Sequence, residues 1–109
     1  MPYNQDLADR VLAVLGPEPT LQRKSMFGGM AFMLQGNLAC CVLNDDVIVR
    51  VPKDAYAATL DLPHVREMDY SGRPMRGWVL VGPEATAADA ALAEWVQYGA
   101  STALALPPK

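Results

Sequence analysis

Three strand-like runs separated by tight turns constrain the fold of this chain more than any other feature. The runs cover residues 26–35, 37–43 and 46–51, and the turns between them are Gly36-Asn37 and Asn44-Asp45. Gly, Asn and Asp accept the positive φ angles that short hairpin turns require. The spacing therefore predicts three consecutive antiparallel strands.

The last of these runs has the alternation of a strand in a two-faced sheet. Val47, Val49 and Val51 fall on one side, and Ile48 and Arg50 fall on the other. A period of two places successive side chains on opposite faces, so the valines are expected to point into a core.

Helical patterns before and after these strands in the sequence predict helices that pack on the sheet. Apolar residues recur at helical spacing over residues 4–15 and stop at Gly16-Pro17. Pro52 is a good first residue for a short second helix, and Thr86 is a plausible N-cap for a closing helix of about 18 residues. Two further strand-like runs within residues 66–81 predict a second hairpin.

The predicted fold is α+β, a single two-layer domain over residues 1–109. An antiparallel sheet carries helices on one face, in the order α-β-β-β-α-β-β-α. Residues 18–22 are expected to be a connector, and Gly28-Gly29 inside the first strand predicts a bulge or a close approach of two backbones.

Composition disfavours several classes of protein. A net charge of −3 and a pI of about 4.9 disfavour a general nucleic-acid binder, because such domains carry excess Lys and Arg to displace counterions from phosphate. No run approaches the roughly 18 apolar residues of a membrane span, and the first residues do not resemble a secretion signal. We therefore expect neither membrane insertion nor secretion.

The two cysteines, Cys40 and Cys41, are adjacent and cannot form the long-loop disulfide of a small secreted domain, which favours the reducing cytoplasm. Successive strand residues point to opposite faces, and His64 is the single histidine, so a Cys/His zinc site cannot be assembled. We expect buried structural cysteines, no metal, no cofactor and no catalytic set. A reactive thiol on the solvent face is the alternative.

Basic and aromatic residues on and near the second hairpin are the candidates for partner binding, a composition found at interfaces. Alternatively, Glu67 and Asp69 neutralise the arginines as cross-strand pairs. Weak nucleic-acid binding through the same cations is a second hypothesis. A ligand-binding or enzymatic pocket near Gly28-Gly29, His64 and the cysteines is a third. The candidate residues are Arg66, Tyr70, Arg73, Arg76, Trp78, Arg50 and Lys53.

Five segments, together with the Trp95 helix and the chain end at 106–109, resemble the N-terminal domain of the TfoX/Sxy family over essentially the whole chain. The segments are Met26-Phe27-Gly28-Gly29-Met30, Arg50-Val51, Pro63-His64-Val65-Arg66, Met68-Asp69-Tyr70 and Gly72-Arg73-Pro74-Met75-Arg76-Gly77-Trp78.

The resemblance implies a small α+β domain similar to the secretion-chaperone-like fold, and it implies no catalytic residues. It also implies regulation, since the founding members are bacterial proteins that promote expression of competence genes together with a transcription activator. Those regulators carry a second, C-terminal domain, and this sequence ends at Lys109, so we expect a stand-alone domain. The expected partner is a protein such as a transcription factor. A homodimer is a further expectation, because unpaired sheet edges invite cover.

Overall fold

A six-stranded antiparallel sheet forms the centre of the fold, and the α+β class with helices on one face is confirmed. No helix among the described residues is long and apolar enough to cross a membrane. The computed structural model describes residues 3–26, 28–70 and 73–108, without the side chains of Tyr70, Arg73 and Pro74.

The strands lie in the order β1-β2-β3-β4-β6-β5, and each is antiparallel to its neighbours. The elements in chain order are α1 (Gln5–Leu15), β1 (Leu21–Met26), β2 (Gly29–Leu34), β3 (Asn37–Leu43), β4 (Asp46–Arg50), a 3₁₀ turn (Lys53–Ala55) that continues into α2 (Tyr56–Leu60), β5 (Val65–Tyr70), β6 (Arg73–Val81), α3 (Pro83–Thr86) and α4 (Asp89–Leu104).

The two valines of β4, and Val51 directly after this strand, face the main core, as their alternation predicted. Val47, Val49 and Val51 pack there with Leu92 and Val96 of α4, and all five are at most 2% exposed. Burial of apolar surface of this kind is the main favourable term in folding. We call this side of the sheet the helix-covered face.

The opposite side of the sheet holds a second, smaller cluster, to which no described helical residue belongs. Ile48 and Cys41 are fully buried there. Methionine fills irregular gaps, and several methionines lie on this side. We call it the methionine face; its methionines are Met26, Met33, Met68 and Met75.

The first strand differs from the prediction. Leu21–Met26 forms an edge strand paired with β2, so the predicted connector at 18–22 and the single strand over 26–35 were wrong. Four consecutive side chains of β1 are exposed, so its sequence has no alternation between apolar and polar residues that would have indicated a strand. Gly28 adopts φ 79° between the two strands. The close backbone approach is at Gly29, where a Cβ would overlap the Val42 carbonyl oxygen.

Two predicted boundaries also shift. The β2–β3 turn is Gln35-Gly36, with φ angles of 54° and 81°, rather than Gly36-Asn37. Asn37 instead begins β3 and is buried, and its side-chain amide donates to the Pro107 carbonyl oxygen at 3.0 Å. The chain end is thereby attached to the sheet.

Thr86 is not the N-cap of the closing helix. Pro83 starts the short helix α3, Thr86 ends it, and α4 begins only at Asp89 after Ala88. Proline is well suited to a first helical position because its missing N–H would have had no partner there. The Thr86 hydroxyl lies 3.5 Å from the Pro83 carbonyl oxygen, within α3.

Candidate functional site

Four of the seven residues predicted to bind a partner lie around one cleft. Arg50 ends β4, and Trp78 is its register partner on β6. Lys53 begins the 3₁₀ turn that follows β4, and Arg76 precedes Trp78 by two residues on β6. Together they line a cleft of about 330 Å³, which we call the cationic cleft.

The other three candidates do not belong to the cleft as described. Arg66 lies on β5 and forms an ion pair of 3.1 Å with Asp46 of β4, across the intervening β6. The side chains of Tyr70 and Arg73 lie outside the described residues, as do Ser71 and Gly72. The two arginines of this hairpin with described side chains therefore lie at different sites: Arg76 lines the cationic cleft, and Arg66 pairs with Asp46.

Gly77 shapes the cleft by breaking the regular path of β6. It adopts φ 88°, in the region that L side chains rarely enter. Its carbonyl accepts a hydrogen bond of 2.9 Å from the Val51 N–H, which connects β6 to the chain leaving β4. Arg76 and Trp78 are therefore presented beside the segment that carries Lys53.

Arg50 is the fixed cation of the cleft. Its guanidinium carbon lies 4.7 Å from the centroid of the Trp78 ring, within cation–π range. It also donates to the Leu38 carbonyl oxygen at 3.5 Å. Partial burial lowers the pKa of Arg50 from its ordinary value, but an arginine of this kind keeps its charge in proteins.

Among the residues that the structure describes, no carboxylate lines the cationic cleft. Three of its side chains are cations, and the rest of its wall is apolar or neutral. Within the described parts of the chain, none of these three cations lies within 4.0 Å of a carboxylate oxygen, and the ion pairs found there are Arg10–Asp89 and Arg66–Asp46. The site therefore suits an anionic ligand.

A neighbouring cleft of about 540 Å³ shares Lys53 and Arg76 but differs in charge. Asp54 and Glu67 line it as well, so its formal charges balance. Glu67 of β5 and Arg76 line this same cleft. Arg66, by contrast, pairs with Asp46 rather than with Glu67 or Asp69, the partners that cross-strand neutralisation predicted.

The Tyr56 hydroxyl adjoins these charges. The oxygen is buried and has no hydrogen-bond partner in the described part of the chain. Burial raises the pKa of Tyr56, the negative charge of Glu67 raises it further, and Arg76 opposes both effects. An unpaired buried hydroxyl is unfavourable, so a ligand that reached it would gain a hydrogen bond.

The residues considered for chemistry do not form an accessible reactive pair. Cys40 and Cys41 have no exposed surface, and burial raises the pKa of both thiols, which suppresses the reactive thiolate. His64 is exposed in a loop with φ 63°, and its carbonyl accepts from the Gly82 N–H at 2.9 Å. No group of three His, Cys, Asp or Glu side chains that could hold a metal occurs among the described residues.

Replacement of Gly77 tests the local geometry. We expect Gly77→Ala to lower the free energy of unfolding by about 1 kcal/mol, because alanine is strained at positive φ. Urea denaturation measures the change. Gly77→Asn is the control, since asparagine tolerates positive φ better and should lose less. Equal stability of the alanine variant and the native chain would contradict the assigned backbone conformation.

Sequence reasoning missed part of the cleft wall. Thr102 and Leu106, from the end of α4 and the segment after it, line the cleft. The segment 106–109 was interpreted as a tail. Neither Thr102 nor Leu106 is basic or aromatic, so the pattern that selected the candidate residues could not include them.

Comparison with known proteins agrees with the resemblance. A family model described as the TfoX N-terminal domain matches residues 13–103. The match covers all six strands, the cationic residues of the cleft and nearly all of α4. A search of curated proteins finds no match.

Proposed function

Because the chain belongs to the TfoX N-terminal domain family, we propose that it is a non-catalytic, cytoplasmic regulatory domain of a bacterium that acts by binding a protein partner. The observation that carries the proposal is the cationic cleft, whose described lining contains three cations and a tryptophan and no carboxylate. Arginine and tryptophan are enriched at the energetic centres of protein interfaces.

The proposed output is an effect on transcription through that partner. This step rests on the family's regulatory character as inferred from the sequence. A transcription factor is accordingly the partner that we propose to look for first.

The charge distribution favours a protein over a nucleic acid as the partner. A strand of DNA or RNA needs a groove of cations that follows its backbone over several nucleotides. Arg66 is already paired with Asp46, and Glu67 and Asp54 border the cationic cleft on the side of Lys53. The cationic surface formed by the described residues is therefore short.

Affinity capture followed by reconstitution tests the proposal. A tagged chain is expressed in its own cells, recovered proteins are identified, and each is purified and titrated against the chain. We expect one partner that binds the native chain and binds a Lys53→Gln/Arg76→Gln variant at least about tenfold more weakly. Arg23→Gln/Lys24→Gln, at exposed positions of β1, is the matched control and should bind normally.

Two results would count against the proposal. If no recovered protein binds in the purified system, an interaction role is wrong. If a partner binds both variants equally well, the interaction role stands but the cationic cleft is not its site.

A further inference from the structure

The described lining of the cationic cleft is electrostatically unbalanced, although Lys53 and Arg76 also line the adjoining cleft that contains Asp54 and Glu67. The protein as a whole is acidic, with a net charge of −3, yet the described residues that line this cleft of about 330 Å³ include three cations and no carboxylate. Like charges gathered in this way repel one another, and an anion bound among them would remove the repulsion. The imbalance therefore indicates the charge of the ligand.

We propose that the cleft recognises an acidic segment of the partner protein, with two neighbouring carboxylates among the cations and an apolar side chain against the neutral wall. The inference rests on the proposed interaction function and names the chemistry of the partner. Two carboxylates match the local charge better than one, and arginine binds carboxylates through paired hydrogen bonds.

The cations differ in how freely they can move. Arg50 is held by the Trp78 ring and the Leu38 carbonyl, so it is oriented before a ligand arrives. Lys53 and Arg76 are exposed and can adjust to the ligand. One fixed cation lowers the ordering cost of binding, while two mobile ones accommodate variation in the segment.

The neutral wall of the cleft is the reason for proposing an apolar side chain in the acidic segment. Pro52 and Leu106, both partly exposed, line it beside the Trp78 ring. An aliphatic residue next to the carboxylates would bury surface against them, a favourable contribution that a free inorganic anion cannot supply. The site is thus better suited to a peptide than to a phosphate ion.

Carboxylates next to the cationic cleft disfavour a nucleic acid as its ligand. Asp54 and Glu67 lie in the adjoining cleft that shares Lys53 and Arg76. A phosphate backbone that continued past these two cations would approach both carboxylates and be repelled. A short acidic peptide can end before it reaches them.

Nuclear magnetic resonance of the ¹⁵N-labelled chain tests the proposal. The indole N–H signal of Trp78 reports on the cleft, and that of Trp95, which lies beside Tyr98 on α4, is an internal control. The probes are two acetylated, amidated hexapeptides, Leu-Glu-Glu-Leu-Glu-Glu and its analogue with Gln in place of Glu. Oligothymidylate is the nucleic-acid probe, and the spectrum shows whether each variant remains folded.

We expect the Glu peptide to shift the Trp78 signal, to leave the Trp95 signal in place, and to bind at least about tenfold more tightly than the Gln peptide. Lys53→Gln/Arg76→Gln should weaken its binding about tenfold, and the matched Arg23→Gln/Lys24→Gln should change it less than about twofold. Added salt should weaken the interaction.

Equal affinity for the Glu and Gln peptides, or a Glu-peptide titration that leaves the Trp78 signal unchanged, would overturn the proposal. Tighter binding of oligothymidylate than of the Glu peptide at the same ionic strength would replace it with nucleic-acid binding. The two proposals fail separately. A partner that binds while the peptide does not would remove only the acidic-segment inference, and a peptide that binds without any protein partner would remove only the interaction function.

Discussion

Replacing Gly99 with alanine is expected to lower the free energy of unfolding by about 3 kcal/mol, the largest single-site effect that we predict. Gly99 lies in α4 where the helix rests on β3. A Cβ at this position would overlap the Ala39 carbonyl oxygen and lie 3.3 Å from Cγ1 of Val49. Alanine has the higher helix propensity by about 1 kcal/mol, which offsets only part of the collision. Urea denaturation of both chains measures the difference.

The matched control changes the same helix away from the sheet. Gln97 is exposed on α4, so Gln97→Ala alters helix propensity without touching the core. We expect a change within about 0.5 kcal/mol there. If Gly99→Ala also costs less than about 1 kcal/mol, α4 can move away from β3 freely, and the close contact described here is wrong.

The parts of the fold that the sequence predicted are those with strong periodicity. The valines of β4 alternate with Ile48 and Arg50, and the apolar stripe of the last helix recurs through Leu92, Val96 and Gly99. Such patterns arise because one side of each helix or strand is buried. The buried side can therefore be predicted from the positions of the apolar residues in the sequence. The α+β class, with helices on one face, follows from them.

The parts that were missed lack such a pattern for physical reasons. β1 is an edge strand whose middle residues Gln22, Arg23, Lys24 and Ser25 are all exposed, so no alternation marks it. Charged residues on an edge strand are a common protection against unwanted pairing. The N-cap of the closing helix is Ala88 rather than Thr86, because Pro83 starts a separate short helix that Thr86 ends.

The candidate site, too, was predicted only in part from the sequence. The sequence made Arg50, Lys53, Arg76 and Trp78 candidates for partner binding because basic and aromatic residues cluster there. It could not separate Arg66 from them, since that distinction depends on the ion pair with Asp46, which is distant in sequence. The positive φ of Gly77, which determines how β6 meets the segment after β4, is likewise a property of tertiary packing.

Two buried thiols give the second large effect, which is a dependence of stability on pH. Cys40 lies on the helix-covered face and Cys41 on the methionine face, and neither has exposed surface. Burial raises the pKa of Cys41 from its ordinary 9.0 to about 11, and burial together with the neighbouring thiol raises that of Cys40 still further. The folded chain therefore keeps both protons in a pH range where the unfolded chain loses them.

The sign of the effect follows from this difference. Stability from the neutral thiols is fully present below pH 9, the ordinary thiol pKa, and is lost as pH rises from 9 towards the folded values. From pH 8 to pH 10 we expect the free energy of unfolding to fall by about 2–3 kcal/mol more than in a Cys40→Ala/Cys41→Ala variant. Urea denaturation under reducing conditions measures both curves, and the shared lysines and tyrosines cancel in the comparison. Parallel curves would show that both thiols ionise in the folded chain as readily as in the unfolded chain, which would contradict the burial of the adjacent pair.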